Sequence, residues 1–274
     1  MTTLNVSQPG WQVEGDSADA YERYLASAFS PWAAQLVELA GVGTGDHVLD
    51  AACGTGIVAR HAAARTGPTG RVVGVDVNED MLRVATSAAA AVRPPIEWRH
   101  GDVADLSFAD GTFDVVCCEQ ALQFFASPAA ALREMHRVLS AGGRVAVSVC
   151  RAIRYAPTYV ALADALERHV GREAGAIMRS PFAGWDTPQL HALFAAAGFT
   201  DARVLIDVGR LRYPSCEEFV RREASSSPLA DSVRALPRER RDAVVRDVAD
   251  AVADHLDDDG VLCPLEVYVV VARR

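Results

Sequence analysis

Over its first 150 residues the chain alternates short apolar runs with stretches whose apolar positions recur at helical spacing. The runs at 47–50, 71–77, 96–100, 113–119 and 143–150 read as strands. The stretches at 57–65, 79–92 and 129–139, rich in Ala, Leu, Arg or Met, read as helices. Runs such as VVGV, DVVCC and VAVSV are apolar at successive positions, so both faces of each strand need covering. Strands of that kind belong in parallel sheets flanked by helices on two sides. Asn78 offers an N-cap to the helix after the second run, and Ser127-Pro128 an N-cap followed by a first-turn proline. Gly142-Gly143 is expected to end the helix before the fifth run.

Past Cys150 the pattern changes. Residues 151–187 predict one helix, 157–170, and a loop around Pro181, Gly184 and Trp185. A helix opening at Thr187-Pro188 stops at Gly198, and a strand at 202–213 follows, with Val204, Ile206 and Val208 on one side and Leu205 on the other. Residues 214–259 read as two helices parted by SSSP at 225–228, the second closed by DDDG at 257–260, and 265–272 is a last apolar strand. Two late strands joined by a helical excursion suit an antiparallel pair at a sheet edge. The predicted fold is therefore α/β: a Rossmann-like, doubly wound sheet of seven strands, mostly parallel, with an antiparallel closing pair and helical cap insertions. Its parts are 1–150 (N-terminal helices and core), 151–187 (cap insertion), 188–213 (core helix and strand), 214–259 (second helical insertion) and 260–274 (closing strand).

Composition narrows the function classes. Half the residues are hydrophobic, and 274 residues can be filled by one α/β core with insertions. The 27 basic residues, all arginine, face 36 acidic ones for a formal charge of −9. That balance argues against a broad nucleic-acid or anionic-membrane surface, since both need clustered positive charge. The first residues are polar and interrupted by Pro9 and Gly10, unlike a secretory signal. No apolar stretch reaches the roughly 18 residues that span a bilayer. Cys53, Cys117, Cys118, Cys150, Cys216 and Cys263 form no CxxC pair, which predicts reduced, packed thiols, no metal site and a cytoplasmic protein.

The strongest local chemistry is HVLDAACGTG at 47–56, a buried strand running into a glycine turn and a helix. Glycine is needed where a ligand approaches the backbone, and the following helix offers free N–H groups to an anion. Gly54-Thr-Gly56-Ile-Val-Ala59, with Asp76 some twenty residues on, also satisfies a dinucleotide fingerprint. Asp76 ends its strand at the carboxyl edge of the sheet, where a carboxylate can accept from two ribose hydroxyls; helix capping is its structural alternative.

DAACGTG at 50–56 resembles motif I of the class I S-adenosylmethionine-dependent methyltransferases, in the form found among ubiquinone/menaquinone-type and natural-product small-molecule enzymes. GVDVNEDML (74–82), His100-Gly101-Asp102, FDVVCCEQALQFF (113–125) and LREMHRVLSAGGRVAVSV (132–149) follow in the family's order. One departure is Ala52, where the family pattern has its first glycine. The resemblance covers residues 20–150 and, weakly, the closing strands. It implies S-adenosylmethionine as cofactor and S-adenosylhomocysteine as product. Residues Asp50, Ala51, Ala52, Gly54 and Gly56 would surround the methionine part, Asp76 the ribose, and Val77 and Met81 the adenine. Gly101-Asp102 and the Val103 N–H would meet the adenine amino edge, and Glu119, Gln120 and Ala121 would lie beside the methyl group. A turn-forming Gly-Asp is the alternative for Asp102.

Tyr21 and Tyr24, at i and i+3, would share a helical face. By the resemblance they belong to an N-terminal lid, with Tyr24 on the cofactor and Tyr21 towards the acceptor; simple packing of that helix is the alternative. Trp32 reads as core. Gln123 and Phe124 would form one wall of the acceptor pocket. Tyr155, Tyr159, Phe182, Trp185 and Phe219 are candidate aromatics of an apolar chamber in the insertions. Of the histidines in the capping regions, His169, His191 and His255, only His169 is carried forward as a pocket residue, and no catalytic base is named. The expected reaction is methyl transfer to a small organic molecule, aromatic or natural-product-like, with O favoured over N or C. Two alternatives stay open: an NAD-dependent oxidoreductase, for which no Tyr-x-x-x-Lys exists in a chain without lysine, and a non-catalytic S-adenosylmethionine-binding protein. Oligomeric state is left open.

Overall fold

Five parallel strands form the centre of the sheet: β1 (His47–Ala51), β2 (Arg71–Asp76), β3 (Ile96–His100), β4 (Phe113–Glu119) and β5 (Leu139–Cys150). In the computed structural model, which describes residues 11–182 and 184–274, they lie in the order β3-β2-β1-β4-β5. Pro9 and Gly10 fall outside the described residues. The order turns back between β1 and β4, and the crevice at that switch point is where such sheets bind ligands. β6 (Thr200–Tyr213), β7 (Leu256–Asp257) and β8 (Gly260–Arg273) complete the sheet, with β8 antiparallel between β5 and β6. Among the described residues the count is eight strands, not seven. The added one is the two-residue β7, which pairs with the start of β8 across Asp258-Asp259. The acidic run predicted to close a helix thus makes a tight hairpin.

Both faces of the central strands are covered, as their composition requires. Val48, Val72 and Val115 pack on one side, while Leu49, Val73 and Val116 pack on the other. The first layer holds α2 (Ser27–Leu39) and α3 (Ile57–Thr66); the second holds α5 (Pro128–Val138) and α8 (Thr187–Ala196). α4 (Glu79–Ala88) joins β2 to β3, capped by Asn78, whose Oδ1 accepts from Met81 N at 3.0 Å. Ser127 caps α5 as predicted, and α8 gains a reciprocal cap between Asp186 and Gln189. Gly142-Gly143 does not end α5, which stops at Val138. The pair lies inside β5, where pairing with β4 jumps from Phe113↔Leu139 to Val115↔Arg144.

The insertions carry more helix than expected. The first holds α6 (Pro157–His169) and α7 (Arg172–Arg179); the second holds α9 (Cys216–Ser225), α10 (Ala230–Arg234) and α11 (Arg238–Ala251). Gly171 parts the first pair, and the Ser-Pro and Leu236-Pro237 breaks part the others. Together they form a cap fused to the core through Tyr159, Leu166, Phe219, Val244 and Val248. Trp32 is core, as expected. On the edge strand β6, Ile206 and Val208 remain exposed. All six cysteines are unpaired and buried. Among the described residues no helix is long and apolar enough to cross a membrane, and no group of three or more His, Cys, Asp or Glu could hold a metal ion.

Candidate active site

The glycine turn after β1 is held from beneath by two acids. Asp50 is buried, and its Oδ2 accepts from Ala59 N of α3 at 2.9 Å, locking the turn to the helix it opens. Burial pushes the Asp50 carboxyl up to about 7. Asp76 accepts from Gly54 N at 2.7 Å through Oδ2 and from Asn78 N at 2.9 Å through Oδ1, so it ties the turn to the end of β2. Desolvation raises it as well, opposed by those backbone donors. A carboxylate has about four lone-pair sites, so two acceptor directions remain for ribose hydroxyls. Gly54 (φ 52°) and Gly56 (φ 81°) both take left-handed backbone. A Cβ on Gly54 would meet nothing within 4 Å, whereas one on Gly56 would lie 2.3 Å from Trp98 Cη2. Only the first therefore faces open space. Ala52, in place of the family glycine, keeps that conformation at φ 59°.

An N-terminal roof closes over these strand ends. Asn78 Nδ2 donates to Val13 O at 2.7 Å and to Gln12 Oε1 at 3.0 Å, and Met81 packs with Val13, Ala18 and Tyr21. α1 (Asp16–Ala20), a π-helical segment (Tyr21–Ala26) and α2 follow without a break. Glu22 Oε1 pairs with Arg60 Nη2 at 2.8 Å, and Arg60 Nη1 donates to Thr55 O at 2.8 Å, linking roof to glycine turn. The π segment separates the two tyrosines that α-helical spacing puts on one face. Tyr21 enters the cavity below, where burial and the nearby Glu119 and Asp76 raise its phenol. Tyr24 turns outward, stacked under Arg221 and Arg222 and bonded to Arg221 Nη1 at 3.2 Å.

Beneath the roof a cavity of about 110 Å³, partly open to solvent, reaches from the end of β4 to the cap. Its core-side lining includes Glu119, Gln120, Gln123 and Phe124, and Trp11, Tyr21, Tyr159 and Phe182 face them. Gln120 sits at φ 50°, held by its N–H on Ser148 O at 3.0 Å and its Oε1 on Cys150 Sγ at 3.0 Å. Such strain persists where the surroundings fix it, often at functional sites. Ala121 is partly buried against the core and does not line the cavity. Burial pushes the Glu119 carboxyl well above the usual range, with Asp50 adding to the effect. Glu223, not singled out by the sequence, lines the same space: it is buried and accepts from Tyr159 OH at 3.1 Å and Tyr213 OH at 2.5 Å through one oxygen.

The adenine-side candidates lie together at the ends of β2 and β3. Val77 is exposed, and His100 Nε2 meets its carbonyl at 3.0 Å. Gly101 N donates to Asp76 O at 3.0 Å. Exposed Asp102 accepts from Ala104 N at 2.8 Å, a local turn that leaves its other oxygen available, and Val103 is buried beneath. His169 does not reach the cavity: its Nε2 lies 2.8 Å from Asp247 Oδ2, so it ties α6 to α11. Tyr155 is sandwiched between Arg151 and Arg154, Trp185 packs against the second core layer, and Phe219 stands edge-on behind Tyr159.

Several buried side-chain oxygens of this region have no partner among the described residues: Glu22 Oε2, Thr55 Oγ1, Glu119 Oε1 and Gln123 Oε1. Unmade hydrogen bonds of buried groups are costly, so these acceptors fit a ligand that brings donors and positive charge. The adenosyl sulfonium with its ammonium has both, and Gly54 leaves it room. Fold and site thus suit an α/β protein with room for a nucleoside cofactor at the carboxyl ends of β1, β2 and β4.

Residues 49–147 match the family model described as "Methyltransferase domain". The chain is 35% identical over 215 residues to a demethylmenaquinone methyltransferase of Symbiobacterium thermophilum, a match covering 70% of this chain and 84% of that one. It is also 35% identical over 217 residues to nocamycin O-methyltransferase of Saccharothrix syringae, covering 74% and 76%. Among solved structures, the YcgJ protein of Bacillus subtilis shares the fold at TM-score 0.58 and 19% identity, over 89% of this chain and 98% of that one. Phosphoethanolamine N-methyltransferase 2 of Haemonchus contortus, solved with S-adenosylhomocysteine, does so at 0.55 and 17%, over 95% and 60%. The chain belongs to the class I S-adenosylmethionine-dependent methyltransferases, in the ubiquinone/menaquinone-type and natural-product group, and S-adenosylmethionine is its cofactor. The oxidoreductase alternative finds no support in these matches.

Proposed function

We propose that this methyltransferase acts on a hydroxyl group of a small, largely apolar acceptor, aromatic, quinol-like or natural-product-like, held between the N-terminal roof and the cap. The observation that carries the reading is the cavity itself. It ends on Glu119 and Gln120 at the tip of β4, its walls include Trp11, Phe29, Phe124, Met178 and Phe182, and among the described residues no arginine or histidine lines it. Two carboxyl groups and no cation make it a poor host for an anionic acceptor.

In this reading residues 50–56 hold the methionine part, Asp76 the ribose, and Val77, Met81, Asp102 and Val103 the adenine. Tyr21, not Tyr24, closes over the cofactor. The bound cofactor supplies an already activated methyl group, so the chain's main task is alignment for an in-line displacement, worth roughly 7–11 kcal/mol. The clamped Gln120 and the apolar walls serve that alignment and exclude water. A cytoplasmic location and the absence of a nucleic-acid partner go with this reading, supported by the buried thiols and the charge of −9.

The test is methyl transfer from labelled S-adenosylmethionine to a panel of phenols, quinols, enols, amines and carbon nucleophiles, with products identified by NMR. The expected product is an O-methyl ether. Transfer confined to nitrogen, to carbon or to macromolecules would refute it.

A further inference from the structure

We propose that Glu223 is the general base of the methyl transfer: one carboxylate oxygen is clamped by the hydroxyls of Tyr159 and Tyr213, and the other takes the proton of the acceptor's hydroxyl. This deepens the hydroxyl reading above and rests on it.

The three residues come from α9, α6 and β6, so the clamp forms only when both insertions close over β8. Tyr213 OH stands 2.5 Å and Tyr159 OH 3.1 Å from Glu223 Oε1. Both phenols are pushed up by burial and by the neighbouring carboxylate, so they stay protonated and donate. Glu223 is 3% exposed and lines the cavity opposite Glu119 and Gln120. Burial pushes its carboxyl up to about 7, and the two hydroxyl donors keep it from rising further. The titratable groups facing it from packed elements are Tyr159, Tyr213, Tyr21, Cys150, Cys263 and, across the cavity, Glu119. None is a cation. On α9 itself, Arg221 and Arg222 are taken by Glu218 and Tyr24 on the outer side.

A base works best when its pKa lies near the operating pH. In the reading above Glu119 lies on the cofactor side, where its unpartnered oxygen would accept from the cofactor, so its part is in binding. Glu223 is the cavity carboxyl whose charge two hydroxyl donors hold. As the acceptor oxygen bonds to the methyl carbon, the carbon–sulfur pair stays on sulfur and the hydroxyl proton passes to Glu223. The carboxyl returns that proton to solvent once product has left. A hydroxyl becomes acidic only as this bond forms, so a base of modest strength suffices in concert. An ammonium would have to lose its proton first. Tyr159 and Tyr213 are positioning residues that keep the charge on the carboxylate.

The experiment uses the full chain, the O-methylated acceptor from the panel and three readouts: single-turnover rate from pH 5 to 9, calorimetric binding of S-adenosylhomocysteine, and infrared titration of protonated carboxyl groups. Wild type should gain rate with pH through a step near 7. Glu223→Gln should lose a hundredfold or more in kcat with KM much less affected, lose the step, and bind S-adenosylhomocysteine unchanged. The carboxyl band lost from its infrared spectrum should be the one that titrates near 7. Tyr213→Phe removes a donor to the charged form, so step and band should move up in pH, which keeps the proposal testable if Glu223→Gln does not fold. Glu223→Gln with wild-type rate and pH profile overturns the proposal while leaving O-methylation intact. So does a Glu223 band that does not titrate between pH 5 and 9. Transfer to amines or carbon alone overturns the hydroxyl reading, and the role of Glu223 with it.

Discussion

Two glycines two residues apart separate what the turn does for the fold from what it does for the cofactor. Gly54 and Gly56 both have positive φ, 52° and 81°, so alanine at either carries a left-handed penalty of about 1–2 kcal/mol. Stiffening the unfolded chain returns about 0.4–1 kcal/mol of this. A methyl group on Gly54 meets no heavy atom within 4 Å, so Gly54→Ala should cost about 1 kcal/mol, or roughly 2–4 °C in Tm. On Gly56 the same methyl overlaps the Trp98 indole at 2.3 Å, and overpacking adds about 1–3 kcal/mol. Gly56→Ala should therefore lower Tm several times further.

Ligand binding should rank the pair in reverse. In the proposed site the space above Gly54 is where the cofactor's methionine part would come close to the backbone. A methyl group there should weaken S-adenosylhomocysteine binding at least tenfold, about 1.4 kcal/mol, while the protein stays folded. Scanning calorimetry and titration calorimetry on the two variants check both halves. Wild-type affinity in Gly54→Ala would place the cofactor elsewhere, and a Tm loss in Gly54→Ala equal to that in Gly56→Ala would refute the steric argument.

Asp76→Asn keeps the shape of the side chain but loses the charge that ribose hydroxyls would meet; S-adenosylhomocysteine affinity measured by calorimetry should fall at least tenfold with the fold retained, and unchanged affinity counts against the site. Ala52→Gly should raise stability by about 0.5–1 kcal/mol, because φ 59° strains alanine more than the extra freedom of unfolded glycine costs; a lower Tm contradicts this. Stability should decline as pH rises from about 4.5 to 7: Glu223, raised from 4.5 to about 7, keeps in the folded state a proton that the unfolded chain releases, at about 1.4 kcal/mol per unit or on the order of 3 kcal/mol. Asp50, also about 7, acts in the same direction, so Glu223→Gln should flatten the fall in Tm between pH 5 and 8, and an identical slope refutes the assignment.

What the sequence made legible follows the physics of each element. β4 begins and ends where apolar periodicity placed it, because a strand covered on both faces leaves few positions for polar residues. That the residues assigned to the cofactor lie side by side was readable for a related reason: Gly54, Asp76 and Gly101 come from consecutive strand ends whose register is set by parallel pairing. What differs is the face the two tyrosines were expected to share. Spacing of i and i+3 assumes α-helical turns, and the widened segment over Tyr21–Ala26 sends Tyr21 into the cavity and Tyr24 to the arginines of α9. Nothing in YERYLA by itself announces that widening.

The acceptor end was hidden because its chemistry is assembled from three distant stretches. His169 invited attention as a histidine in the capping region, yet Asp247 occupies its imidazole. Glu223 looked like one more charge in a helix reading CEEFVRREAS, whose Glu218 does make ordinary surface pairs with Arg221 and Arg222. Its phase says otherwise. Cys216, Phe219, Val220, Glu223 and Ala224 form one buried stripe at 3.6-residue spacing, and a carboxyl set in an apolar stripe must find donors or lose its charge. The donors are 10 and 64 residues away, so the sequence could disclose the demand but not what meets it. In a cap that folds over a cofactor sheet, a carboxyl in phase with its apolar neighbours is the residue to try as a base before any histidine.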